Sequence, residues 1–215
     1  KVVDELFVIE ERHYMKIVDL LIERQYGLNL WVYARIDTIR EDNLKKMKKA
    51  GINWIALGIE SANSVVRDGS LKQMKTMDIR SVVRRIKDAG IRVIGNFIFG
   101  LPDDTLRTME ETLDLAKDLN CEFVNFYCAM AYPGSKLYKI ALEQKWDLPR
   151  SWHAFSQHSY EASPLPTKYL SANEVLRFRD NAFHGYFENP HYLHMLSDKF
   201  GEKVRNYVEE MTKVR

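Results

Sequence analysis

The chain has 215 residues, 46% hydrophobic and 29% charged, enough for a sizeable folded core. Its net charge of +2 gives no electrostatic case for a nucleic-acid surface, and no Lys/Arg block alters that. No apolar stretch approaches the roughly 18–20 residues of a membrane span and no signal peptide opens the chain, so a cytoplasmic location is the default expectation.

In chain order, residues 5–10 (Glu-Leu-Phe-Val-Ile-Glu) form an apolar run that predicts a strand. A helix is predicted over 13–26, a strand over 28–36, a helix over 42–50 and a strand over 53–60. Lys45-Lys46-Met47-Lys48-Lys49 reads as the solvated face of the second helix. Residues 61–76 are irregular, with Asn63, Asp68, Gly69 and Ser70 as turn formers. Asp78 caps a helix to Ala89, and a strand over 91–99 runs into Gly100-Leu-Pro102. A helix to Leu119 precedes a strand over 121–131, then Pro133-Gly134-Ser135 and a helix to about Gln144.

Gly27, Gly51, Gly90 and Asn120 each close a helical stretch and open an apolar run. These residues tolerate the left-handed conformation that stops a helix. The repeat of helix, stop and strand implies a parallel sheet with helices outside it, and such folds place chemistry at the carboxyl ends of the strands. After Trp146 the pattern changes to an irregular, aromatic-rich stretch. The capping-box signature Ser171-Ala-Asn-Glu174 then opens a helix to Phe187, and shorter helices follow over 191–200 and 202–213.

Strand alternation places Arg35 and Asp37, Glu60, Asn96, and Asn125 with Tyr127 on one polar face near the strand ends. Four strands in agreement suggest a shared polar pocket. Arg35 and Glu60 could form a buried ion pair that holds the fold together, bind a ligand, or do both. Cys121 and Cys128, at odd spacing on one predicted strand, should face opposite ways and neither pair nor share a metal.

Tyr33-Ala-Arg-Ile-Asp37, Gly58-Ile-Glu-Ser61, Leu71-Lys-Gln-Met74, Phe97-Ile-Phe-Gly-Leu-Pro102 and Tyr132-Pro-Gly-Ser135-Lys-Leu-Tyr138 follow one another as in the radical S-adenosylmethionine (SAM) enzymes. The resemblance is to the branch that often carries an upstream cobalamin-binding domain. It implies an α/β fold, a partial (β/α)6 TIM-like barrel missing its first strand and helix. Residues 1–145 would supply the second to sixth βα units, and 146–215 a C-terminal helical extension. The resemblance also implies reductive cleavage of SAM to a 5′-deoxyadenosyl radical, for methylation or rearrangement of an unactivated carbon. By motif, Glu60 and Ser61 fall where the ribose and amino-acid moiety of SAM bind. Asn96, Ile98 and Gly100 fall on the fifth-strand motif, with Ile98 at adenine and Asn96 in place of a glycine. Ala129 and Ala131 match the segment that borders adenine in the family, neighbouring Tyr127 is a further candidate SAM contact, and Arg35 is a candidate partner of the SAM carboxylate. Glu10-Glu11 stands where an acidic pair is expected.

The family holds a four-iron, four-sulfur cluster with C-x-x-x-C-x-x-C after its first strand. Cys121 and Cys128 cannot replace those ligands, which are expected upstream of Lys1. No catalytic residue is assigned, and the 215 residues alone are expected to be inactive. The resemblance further implies a small-molecule substrate, a reductase or flavodoxin-type electron donor, and cobalamin as an optional cofactor, with no nucleic acid and no membrane. An exposed sheet edge would invite a homodimer. The alternative is a cluster-free, non-catalytic barrel that binds a nucleotide-like ligand or a protein partner. An unrelated phosphate-binding barrel lacks support, because no Gly-rich phosphate loop is present. His153, His158, His184, His191 and His194 lack the acidic or cysteine partners of a metal site. Trp146, Trp152, Phe155, Tyr160 and Tyr169 read first as packing of the extension and second as a substrate wall.

Overall fold

The computed structural model describes residues 1–69, 78–157 and 162–213, without the side chains of Asp68 and Gly69. The Leu71–Met74 motif, His158 and Tyr160 lie outside the described residues. Four strands form one sheet: β1 (Leu30–Arg35), β2 (Ile52–Glu60), β3 (Arg92–Phe99) and β4 (Phe123–Cys128). They neighbour one another in sequence order. β1 and β2 run parallel, with Tyr33 opposite Ala56 and Arg35 opposite Gly58. Helices lie between successive strands: α1 (Glu11–Arg24) before β1, α2 (Glu41–Lys49), then α3 (Ser64–Gly69) with α4 (Ile79–Asp88), and α5 (Leu106–Leu119). α6 (Lys136–Glu143) follows β4, and α7 (Ala172–Phe187), α8 (Pro190–Phe200) and α9 (Glu202–Lys213) make the tail. The predicted α/β architecture is present.

Two differences from the sequence reading have local causes. Residues 5–10 are turns and bends, not a strand. The Asp4 carboxylate accepts from the Leu6 amide at 3.0 Å, a local bond that competes with strand pairing. Phe7 and Val8 are adjacent and both buried, which alternation forbids. The segment still touches the sheet edge, because Val2 and Val8 amides donate to the Trp31 and Tyr33 carbonyls at 2.9 and 3.3 Å. The second difference is α3, which replaces part of the predicted irregular segment. Asn63 starts it, its side-chain oxygen accepting from the Val65 and Val66 amides at 3.1 and 3.2 Å.

The chain divides into two units. The first comprises Lys1–Ile59, the described part of Gln73–Asn96, and Asp118–Asn125. Its helices bury Tyr14 and Val18 from α1, Leu44 and Met47 from α2, and Val82, Val83 and Ile86 from α4. Between helices, Lys46 pairs with Asp19 at 2.5 Å and Arg85 with Glu41 at 3.2 Å. α2, α4 and α5 end as their sequence predicts, with Gly51, Gly90 and Asn120 at positive φ, whereas α1 stops two residues before Gly27, on Gln25 in the left-handed conformation at φ +50°. Lys87 donates to the Leu119 and Asn120 carbonyls at 2.7 and 2.8 Å, capping the end of α5.

The second unit comprises the described parts of Glu60–Lys72, Phe97–Lys117 and Phe126–Arg215. It holds the carboxyl ends of β2, β3 and β4 together with α7 to α9. α7 covers those ends: Phe178 meets Phe99 edge-on at 5.0 Å, and Tyr186 meets Phe126 at 5.8 Å. The capping box predicted for α7 is formed, with Ser171 Oγ accepting from the Glu174 amide and the Glu174 carboxylate accepting from the Ser171 amide.

Candidate functional site

In the second unit, three strand ends each carry a distinct device. β2 ends on Glu60, which has φ +66° although it is not glycine. For an L-residue this left-handed conformation costs roughly 1–2 kcal/mol, and such strain concentrates where a side chain must be aimed. Ser61 follows, fully buried. Its hydroxyl lies 3.2 Å from Thr112 Oγ1 on α5 and accepts from the Asn63 amide at 3.2 Å. The Ala62 amide donates to Thr112 Oγ1 at 3.1 Å, and Arg67 Nη1 donates to the Ser61 carbonyl at 3.3 Å. The chain after Glu60 is therefore pinned from three sides. Thr112 and Arg67 have no role in the sequence reading; both sit on helical faces that only the fold brings to Ser61.

β3 runs into Gly100, at φ +79°. A Cβ there would overlap the Val175 side chain of α7. Asp104 is buried and fixes the following turn: its carboxylate accepts from the Leu101 amide at 2.9 Å and the Thr108 hydroxyl at 2.7 Å. Burial raises its pKa above the usual carboxylate value, and these hydrogen bonds partly oppose that shift. Ile98, half-buried, packs against the small apolar cluster of Val66, Leu101 and Ala129. Of these residues, the resemblance places Ile98 at adenine and Ala129 in the segment beside it; Val66 and Leu101 are not among its motif residues.

β4 ends at Cys128, and Tyr127 beside it is half-buried. The backbone then takes over: the Ala129 amide donates to the Phe99 carbonyl at 2.8 Å, and the Leu165 amide to the Ala129 carbonyl at 3.4 Å. Gln157 Nε2 donates to the Cys128 carbonyl at 2.9 Å. Ala131 is fully buried against Ala141 and Leu165.

The remaining candidates belong to the first unit. Arg35 closes β1 with a two-bonded fork to Asp37, Nε–Oδ1 2.9 Å and Nη2–Oδ2 2.6 Å. The Nε–Nη2 edge, one of the two guanidinium edges that can grip a carboxylate with two bonds, is held by this internal one. Asp37 lies in the 3-10 turn Ile36–Thr38 that follows β1, next to Arg35 at the strand's last position. Asn96 accepts from Asn125 Nδ2 at 2.9 Å, so these two amides, each three residues inside its strand's carboxyl end, are bonded to each other.

Among the described residues, no group of three or more His, Cys, Asp or Glu is placed to hold a metal ion. Cys121 and Cys128 are buried free thiols. His184 pairs with Glu188 at 2.8 Å and His194 lies 3.4 Å from Asp198, each within its own helix. Among the described residues, no helix is long and apolar enough to cross a membrane.

Comparison with known proteins bears on these strand ends. The chain is 25% identical over 193 residues to an uncharacterized methyltransferase of Pyrococcus horikoshii, covering 88% of this chain and 41% of that one. It is 29% identical over 138 residues to the anaerobic magnesium-protoporphyrin IX monomethyl ester cyclase of Rubrivivax gelatinosus, covering 63% and 25%. The chain thus spans less than half the length of these curated relatives. Among solved structures it resembles the radical S-adenosylmethionine methyltransferase TsrM from Kitasatospora setae, determined with cobalamin and a four-iron, four-sulfur cluster bound. The TM-score is 0.52 at 18% identity, over 58% of this chain and 26% of that one, a likeness of fold. Residues 10–116 match the radical SAM superfamily model, a stretch that includes Arg35, Glu60, Ser61, Asn96, Ile98 and Gly100. Through those residues, the chain belongs to the radical SAM superfamily.

Proposed function

We propose that this chain supplies the S-adenosylmethionine-binding strand ends of a radical SAM enzyme. The whole protein would methylate or rearrange an unactivated carbon of a small molecule. The observation that carries this reading is the pinned, left-handed Glu60 in the same unit as the Ile98 wall. Bonds to Ser61 from Thr112 and Arg67 fix the backbone just after Glu60, and its left-handed conformation sets the direction of a carboxylate that would accept from hydroxyl or ammonium donors. The Ile98, Val66, Leu101 and Ala129 side chains offer an apolar face to a purine. Gly100 and the backbone after Cys128 would border its edge. In this reading Ser61 acts by holding Glu60, since its hydroxyl is already engaged.

SAM bound there would supply the sulfonium-linked carbon that the reaction consumes. Arg35 fits the SAM carboxylate less directly, because Asp37 occupies its fork. We assign it an orienting role at the end of β1. The thiols of this chain do not fit an iron–sulfur cluster: there are two, and both are buried. The cluster ligands, the electron donor and any cobalamin therefore belong to other parts of the protein or to its partners. The 215 residues alone are expected to bind without catalysing. The methyltransferase and cyclase names among the relatives support a carbon-centred reaction.

The test is equilibrium dialysis of the full-length protein with S-adenosylhomocysteine. Glu60→Gln should weaken binding about tenfold, the loss of one charge-assisted bond. Equal affinity in wild type and Glu60→Gln, or no binding to either, would sink the assignment.

A further inference from the structure

Just past β4, three aromatic rings line up on the surface of the second unit. Tyr132 and Phe155 have centroids 6.4 Å apart with planes 29° from parallel. Phe155 and Trp152 are 6.1 Å apart at 43°. Packing of the extension is the first expectation for Trp152 and Phe155, and for Trp152 the structure overturns it: that side chain is 81% exposed, and Tyr132 is 46% exposed. With Pro133, Ser156 and Gln157 these rings line a cleft of about 400 Å3. That volume lies in the range of small-molecule sites, which combine aromatic walls with a few placed polar groups. Here the polar groups are Ser156 and Gln157. Gln157 is locked in place by its bond to the Cys128 carbonyl.

The position of this wall is informative. Tyr132 and Pro133 directly follow Ala129 and Ala131, the backbone proposed to border adenine. The aromatic cleft is therefore continuous, along the chain, with the cosubstrate segment. Exposed rings of this kind gain little for the fold and much for a ligand with a π face of its own. Two successive centroid steps of about 6 Å exceed the width of a single ring.

We infer that the Tyr132–Phe155–Trp152 wall seats the substrate, and that the substrate presents a flat conjugated system of more than one ring. This deepens the SAM reading above and rests on it. The specificity-determining residue is Trp152, with Phe155 and Tyr132 extending the surface.

The experiment titrates the full-length protein with protoporphyrin IX, read by the porphyrin's own absorbance shift. Cholate serves as a saturated comparator of several fused rings. Trp152→Ala should weaken porphyrin binding about tenfold and Trp152→Phe by about threefold or less, with cholate weak throughout. S-adenosylhomocysteine affinity should stay within about twofold in both variants. Because Trp152 is exposed, neither substitution should alter the unfolding midpoint. Failure of the wild type to bind porphyrin, equal binding by Trp152→Ala, or equal cholate binding would overturn the inference. So would a wild-type dimer that Trp152→Ala dissociates, since a second copy would then own the surface. The SAM reading fails separately, through loss of S-adenosylhomocysteine binding in the wild type.

Discussion

Gly51 and Gly100 share a positive φ but answer to different neighbours. At Gly51, before β2, an added Cβ would strike the Leu28 carbonyl oxygen. At Gly100, after β3, it would strike the Val175 side chain of α7. The loops leading into the strands are governed by the chain's own geometry: a helix must stop, and Gln25, Gly51, Gly90 and Asn120 stop it in the left-handed conformation. The loops leaving β2, β3 and β4 are governed by side chains that fold back onto them, most from distant sequence. Glu60 is held through Thr112 and Arg67, Gly100 lies under Val175, and the Cys128 carbonyl is bonded by Gln157. Regularity before the strands leaves the individuality after them available for a site.

This contrast can be broken by substitution. Gly51→Ala should show the largest loss, about 3 kcal/mol or more in urea unfolding, because backbone cannot move aside. No single second substitution should recover it. Gly100→Ala should cost about 2–3 kcal/mol, and adding Val175→Ala should restore part of it. Full additivity of those two changes would mean that α7 does not set the Gly100 conformation. Glu60→Ala and Glu60→Gly both lose the carboxylate but differ in backbone strain. The glycine variant should be the more stable by about 1 kcal/mol, and equal stability would remove the case for strain.

The last effect concerns Cys128 and is confined to alkaline pH. Burial pushes its thiol up to about 11 from the ordinary 9.0, only partly offset by nearby Arg179. The folded state thus keeps the proton that the unfolded state releases, so stability should fall as pH rises between about 9 and 11. Cys128→Ala should flatten that part of the denaturation profile. Iodoacetamide at pH 8.5 should label Cys128 only after unfolding.

Much of the molecule can be read in its residues because the signals are local. Ser171-Ala-Asn-Glu174 announces α7, and alternation locates β1 to β4 within a few residues. The run 5–10 misleads because composition alone does not show Asp4 turning the chain at Leu6. At the site, Glu60, Ile98 and Gly100 are visible by motif, and their supports are not. Thr112, Arg67 and Gln157 look like ordinary helix and loop residues until folding brings them to a strand end. The Arg35–Asp37 fork is the exception, an opposite-charge pair only two residues apart, joined across the turn that ends β1.

The covering of β3 and β4 by α7 has a consequence for synthesis. Phe99 and Phe126 leave the ribosome well before Phe178 and Tyr186, the rings that meet them. At about 5–20 residues per second, the nascent chain carries those strand ends uncovered for several seconds. The growing polypeptide is most exposed to misassociation in that interval. Translation stopped at residue 170 should release a product that chaperones retain, whereas translation through α7 should release one that folds.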